Sequence, residues 1–179
     1  GRIYRIYPKD TTPRPVPQLA DLSSEQLVAQ LESPNGWQRD VAQQSLVQRQ
    51  DANATAPLAK LAVGGASALA RLHALCALDG LKALDVDLLE RALTDPHPGV
   101  RRHAVRLAEP LAIQHPQLIG LVLPLAGDPD AKVRLQVACS LGEWQDSRIG
   151  HTLTQLALSE SQDTHTVAAV MSSLNASNI

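Results

Sequence analysis

The chain has 179 residues and a mass of 19.2 kDa, which is enough for one domain. Leu and Ala dominate its apolar content, Phe is absent, and the aromatics are Tyr4, Tyr7, Trp37 and Trp144, so an all-β sandwich or barrel is disfavoured and helices are expected. Sixteen Lys and Arg against eighteen Asp and Glu leave a net charge of -2 and a pI near 6.3, without the basic excess that would grip a nucleic-acid backbone by charge.

The first segment differs in character from everything after it. Arg2 to Tyr7 reads Arg-Ile-Tyr-Arg-Ile-Tyr, a strand-forming run, and Pro8, Thr11, Thr12, Pro13, Pro15 and Pro17 then make an extended linker. A lone strand cannot satisfy its own edges, so this one is expected to belong to the sheet of a preceding domain. The start without Met and the end at Asn178-Ile179 suggest a piece of a longer protein. Residues 1–20 are accordingly read as residual strand and linker, and residues 21–179 as the helical domain. No run of 18 apolar residues and no signal-peptide core occurs, so no membrane segment is expected in this chain.

From Leu22 the period becomes helical. Ser23 with Gln26 forms a capping-box pair that predicts a helix starting at Ser24, with Leu27, Val28 and Leu31 on its apolar stripe. Ser33-Pro34-Asn35-Gly36 breaks it, and Trp37, Val41, Ala42 and Leu46 form a second stripe, completing one helical hairpin by Asp51. The unit recurs. Asp95-Pro-x-x-x-Val-Arg101 matches Asp128-Pro-x-x-x-Val-Arg134, Arg71-Leu-His-Ala matches Arg101-Arg-His-Ala, and alignment of the prolines places Arg39 on Arg101. The repeat arginines are Arg39, Arg71, Arg101 and Arg134, which follow one another at nearly equal intervals. Gly64-Gly65 reads as a hairpin turn, and Pro110 and Pro124 should kink or end their helices. A fifth copy, with stripes Ile149, Leu153, Leu156, Ala157 and Val167, Val170, Met171, Leu174, lacks the arginine, as a terminal capping unit would.

A period of this length also suits ankyrin and tetratricopeptide repeats, but Thr-Pro-Leu-His and the aromatics of the latter are missing. Asp-Pro between two helices, Val-Arg opening the second and Ala three residues after that Arg resemble the HEAT repeat, most clearly over Asp95–Leu107 and Asp128–Leu141. The resulting expectation is an all-α superhelix, a HEAT-like solenoid of about five hairpins preceded by an extended N-terminal tail. In such a motif the loop Asp (Asp95, Asp128) is expected to cap the following helix while Pro stops the preceding one. Each Arg should reach an acid or free carbonyls in its own or the next repeat, giving a structural ladder, the alternative being a substrate-binding arginine row.

Other chemistry-bearing residues suggest structure more than reaction. Cys76 and Cys139 sit in apolar helical stretches with no Cys-x-x-Cys, and are read as buried free thiols. His73 and His103 occupy the same repeat position and would need further ligands to hold zinc, so they are read as surface or interface residues, as are His97, His115, His151 and His165. Ser140 and Ser172 lie in helical stripes without a nucleophile elbow, and Asp85 and Asp87 suit a helix N-terminus better than an acid–base pair. Trp37 and Trp144 are expected to fill grooves between hairpins, with partner anchoring as the alternative.

A wider resemblance rests on Gly-Arg-Ile-Tyr-Arg-Ile, the proline-rich linker, Ser-Pro-Asn-Gly-Trp-Gln-Arg-Asp, Ala-Arg-Leu-His-Ala-Leu and Val-Ala-Ala-Val-Met-Ser-Ser-Leu at 167–174, where Val167 replaces an arginine. These strings resemble large exported proteins of planctomycete-type bacteria, in which a sugar-dehydrogenase-like β-propeller is followed by HEAT-like repeats and a haem-binding cytochrome c domain. The resemblance implies a periplasmic or exported protein whose haem lies in a downstream domain, with no cofactor in this chain. The favoured reading is a non-catalytic scaffold whose partners are neighbouring domains or another protein, because stacked hairpins create long surfaces without needing a catalytic pocket, and the charge balance argues against nucleic acid. Two alternatives stand beside it: a nucleic-acid-binding repeat protein similar to alkylpurine glycosylases, and a bilin-lyase-like HEAT protein using a groove between helices.

Overall fold

Polar side chains cap six of the ten helix starts among the described residues, because the first N–H groups of a helix have no acceptor inside it. In the computed structural model, which describes every residue except 3, 5, 13, 14, 16, 177 and 179, Ser23 and Gln26 exchange the two hydrogen bonds of a capping box, and α1 (Ser24–Gln30) begins where the sequence predicts. Asn35 caps α2 (Gly36–Arg49), Asp85 α5 (Val86–Leu93), His97 α6 (Pro98–Leu111), Asp130 α8 (Ala131–Ser140) and Asp163 α10 (Thr164–Ser173). Between them lie α3 (Thr55–Gly64), α4 (Ala68–Gly80), α7 (Gln117–Val122) and α9 (Ile149–Ser159), which start without a side-chain cap. Pro110 falls one residue before the end of α6, and Pro124 lies in a 3-10 turn, Leu123–Gly127, that takes over from α7.

Among the described residues, these ten helices form five consecutive hairpins and two layers, α8 packing in its hairpin on the 3-10 turn Leu123–Gly127 that follows α7. The even helices α2, α4, α6, α8 and α10 pack in sequence against one another, and the odd helices α1, α3, α5 and α7 do the same, α9 reaching the 3-10 turn after α7. The described residues contain no strand, and the architecture is an all-α, α-α solenoid. One apolar core runs its whole length, from Leu19, Leu27 and Leu46 through Leu75, Leu89 and Val105 to Val137, Ile149 and Leu153. Small residues set the spacing: a Cβ on Gly80 would lie 2.6 Å from Val47 Cγ2, and one on Gly142 2.8 Å from Ser173 Cα, so α2 approaches α4, and the 3-10 turn Leu141–Glu143 after α8 approaches α10, at glycine distance.

Both ends are tied down. Leu19 enters the core from a 3-10 turn, Leu19–Asp21, and Arg49 at the end of α2 donates to the carbonyls of Ala20 and Leu22. The region before that turn has no such anchor among the described residues. Of the expected N-terminal strand, Ile3 and Arg5 lie outside the described residues, and Arg2, Tyr4, Ile6 and Tyr7 are exposed in neither helix nor strand. The described residues offer no sheet edge for that run to pair with. At the other end Asn178 is buried against Gly150 and donates to the Ser173 carbonyl, folding the terminus over α9.

Candidate functional site

Each repeat arginine sits on the first turn of an even helix and folds back on its own loop. Nη1 of Arg39, Arg71, Arg101 and Arg134 donates to the carbonyl six residues earlier: Ser33 at 2.7 Å, and Gly65, Asp95 and Asp128 at 2.8 Å each. The rest of the guanidinium faces the next hairpin. Arg71 donates through Nε and Nη2 to both oxygens of Asp95 at 2.6 and 2.8 Å, and Arg101 does the same to Asp128 at 2.7 and 2.8 Å. These are fork-on-fork pairs, the strong planar form of the arginine–carboxylate bond. They are shielded: 12 and 8 % of the Arg71 and Asp95 side chains, and 13 and 3 % of those of Arg101 and Asp128, are exposed.

The loop aspartates do not cap the helices that follow them, as the sequence suggests they should. Asp95 and Asp128 lie two residues before the caps, which are His97 and Asp130, and each instead accepts the N–H of that cap residue, at 2.8 and 2.9 Å. The carboxylate thus holds its own loop with one bond and the previous hairpin's arginine with two. Ser33 makes the same local turn, its Oγ accepting from Asn35 N. Burial works to raise the Asp95 pKa, but the Arg71 bonds and the His97 N–H leave it below the ordinary carboxylate value. Asp128 is likewise lowered, chiefly by Arg101.

The outer rungs differ. Arg134 pairs with Glu160 through Nη2 at 2.7 Å, while its buried Nε has no partner. Arg39 has glycine, Gly65, at the position where the next loops carry Asp, and its buried Nε is also without a partner. Glu160 escaped the sequence reading because the last hairpin lacks the repeat signature. The available clue was its distance along the chain from Arg134, which falls between those separating Arg71 from Asp95 and Arg101 from Asp128.

The two histidines lie side by side on α4 and α6 and are half-buried. His73 Nδ1 lies 2.6 Å from Gln43 Oε1, and its Nε2 is 3.9 Å from Asp40. His103 Nε2 is 3.2 Å from Arg102 Nη2, and its Nδ1 is buried without a partner. Burial lowers both pKa values, with Arg39 adding to the effect at His73 and Arg102 and Arg106 at His103, so both rings are held neutral. Among the described residues no three His, Cys, Asp or Glu side chains gather closely enough to hold a metal ion.

The tryptophans part company. Trp144 is 3 % exposed and donates Nε1–H to the Glu109 carbonyl across to α6, as a groove-filling side chain should. Trp37 is 57 % exposed, contrary to the expected stripe, because the first turn of α2 turns that position away from α1 and α4. Cys139 is exposed rather than buried and Cys76 is half-buried; both are free thiols with pKa values raised, in each case first by burial. Ser140 is buried and donates to Glu109 at 2.5 Å, in a structural tie between α6 and α8. Asp85 caps α5, with Asp87 in its first turn. A groove of about 610 Å³ between α1 and α3, lined by Glu25, Val28, Glu32, Lys60 and Leu61 among others, contains none of the histidines, cysteines or repeat arginines.

Comparison with known families agrees with this geometry over about half of the stack: residues 86–174, which comprise α5 to α10, match the family model for HEAT repeats. No curated protein matches the chain. No helix of the described residues is long and apolar enough to cross a membrane.

Proposed function

We propose that this chain is a non-catalytic scaffold, a HEAT-type module that presents the side chains of its even helices to a partner protein or to neighbouring domains of its own polypeptide. The observation that carries this reading is where the charged and catalytically able residues are used. The buried arginines and aspartates bind one another between hairpins, Ser140 is tied to Glu109, and the half-buried histidines are held neutral. Stacked hairpins leave a long surface that is renewed at every unit, which suits binding to an extended partner. The finer form of the proposal, resting on the sequence resemblance, places the module between a dehydrogenase-like propeller and a cytochrome c domain in an exported protein. An upstream propeller and a downstream Cys-x-x-Cys-His in the full-length sequence are the expected neighbours.

The test is site-directed photo-cross-linking in extracts of the source organism. Photoreactive side chains at Asp40, Arg106 and Met171 of the full-length protein, exposed on α2, α6 and α10, should capture one discrete protein or one neighbouring domain of the same polypeptide, whereas the same group at Leu121 or Leu158, exposed on α7 and α9, should not. Equal capture from both layers, or capture from neither, overturns the reading.

A further inference from the structure

Three arginine forks in the stack end on carboxylates, and the first does not. Arg71 holds Asp95, Arg101 holds Asp128 and Arg134 holds Glu160, but Arg39 spends Nη1 on the Ser33 carbonyl and has no acid on its Nε and Nη2 side among the described residues. The chain cannot supply the missing acid from the equivalent position, because a Cβ on Gly65 would lie 2.7 Å from the Leu61 carbonyl oxygen. A guanidinium stays charged at any ordinary pH, so this fork is a standing demand for an anion.

Arg39 is also one end of a strip with arginines at both ends. Arg39 stands near His73, which lies 2.6 Å from Gln43 of α2, and Arg102 and Arg106 stand near His103, with Arg102 Nη2 3.2 Å from its Nε2, so the arginines flank two neutral histidines across α2, α4 and α6. Arg102 bonds only to His103, and neither it nor Arg106 joins an ion pair among the described residues. The acids beside the strip are Asp40, near His73, and Asp79, near Cys76, while Glu109 is engaged by Ser140.

We propose that this strip receives an acidic segment of a partner polypeptide, one carboxylate pairing with Arg39 through Nη2, its Nε being buried, and others pairing with Arg102 and Arg106. The proposal rests on the scaffold reading and adds the chemistry of the partner. The molecule supplies the precedent for a carboxylate, since the two filled forks of Arg71 and Arg101 and the single Nη2 bond of Arg134 all end on one.

Trp37, exposed two residues from Arg39, is a built-in reporter, while Trp144 is buried at a distant hairpin. The whole chain is titrated at low salt with three probes: a blocked peptide of alternating Glu and Gly residues, its Gln–Gly counterpart, and a single-stranded oligodeoxynucleotide of similar length. The Glu peptide is expected to give a saturable change in tryptophan fluorescence and the Gln peptide none, with affinity falling roughly tenfold in Arg39→Gln and again in Arg102→Gln/Arg106→Gln. Arg39→Lys, which keeps the charge but not the fork, should fall between wild type and Arg39→Gln, and it carries the comparison if Arg39→Gln does not fold. Absence of Glu-peptide binding, binding unchanged in the Arg39 variants, or tighter binding of the oligonucleotide overturns the proposal. If a partner still cross-links through α2 and α6 while the peptide fails, this inference falls and the scaffold reading stands. Peptide binding without any cross-linked partner overturns both, because the strip then binds anions with no partner to supply one.

Discussion

The joint between the first two hairpins and the joints that follow achieve the same stacking with different chemistry. Between α2 and α4 the described residues form no charged rung: Gly80 lets Val47 approach closely, Gln50 donates to the Gly80 carbonyl at 3.1 Å, and Gln43 meets His73 at 2.6 Å. From α4 onward each joint has an arginine–carboxylate pair, ending with Arg134–Glu160. The family match begins at residue 86, in the hairpin that carries the first loop aspartate, Asp95. The rung is therefore the part of the architecture that leaves a recognisable pattern, while close packing of small residues builds an equivalent joint without one.

Removing the acid from one rung should weaken the stack far more than removing the base from the rungless joint. Asp128→Ala leaves the Arg101 guanidinium shielded and unpaired, and should cost about 3–5 kcal/mol. It also removes the acceptor for the Asp130 N–H. Arg39→Met removes a charge that has no carboxylate, and should change stability by about 1 kcal/mol or less. Denaturant midpoints give the contrast, and because repeat stacks can unfold in parts, hydrogen exchange should show the Asp128→Ala loss concentrated in α6 and α8.

Gly80→Ala attacks the other kind of joint. The added methyl meets Val47 Cγ2 at 2.6 Å and Cγ1 at 3.0 Å, an overpacking cost of about 1–3 kcal/mol against a gain of roughly 1 kcal/mol in helix propensity. Val47→Ala in the same chain should recover most of the loss, since it removes the two methyls in collision. A double-mutant cycle on the melting transition measures that coupling, and additive effects would show that the glycine is not there for spacing.

How much of this was legible follows from the same contrast. The α1 capping box, the five hairpins and the arginine period were readable because each depends on residues a few positions apart or on exact recurrence. The rungs were half readable: Asp95 and Asp128 stood out, but their action as clasps for the preceding hairpin depends on a loop turned by their own local bonds to His97 and Asp130. Glu160 and Gly65 were not readable, since one lies in a hairpin that has lost the signature and the other matters through a missing side chain. The exposure of Trp37 was misread because its apolar character fits the helical stripe, and only the angle at which α2 leaves its loop decides which way that first turn faces.

Acid should separate the joints by pH. The folded pKa values of His73 and His103 are lowered, so the folded state resists their protonation and stability should begin to fall as pH drops below about 6.5, the unfolded value. This loss belongs to α2, α4 and α6, and His73→Gln/His103→Gln should remove it. Asp95 and Asp128 are also lowered but act in a separate window: their contribution is complete above about pH 4 and is lost as pH falls through their folded values. Melting temperatures between pH 7 and pH 3 should therefore show two declines, and a single one below pH 4 would mean that the histidines are not held neutral by the fold.

The smallest effect is expected at the carboxylate held lowest in absolute terms. Asp146 is lowered to about 2 by hydrogen bonds from the Arg148 side chain and N–H, at 2.7–2.9 Å, yet the Arg148 side chain is 58 % exposed and the pair spans only two residues in one loop. Water and salt screen such a pair, and neither partner reaches another hairpin through it. Asp146→Asn keeps one oxygen to accept the Arg148 N–H but loses the charge and the second acceptor, which takes the Nη2 bond; both losses fall on an exposed local pair, so the melting temperature should move by about 1 °C or less, and less still in high salt. A loss comparable with Asp128→Ala would mean that strong local pairing by itself, and not the bridging of two hairpins, is what makes an arginine–aspartate pair matter in this stack.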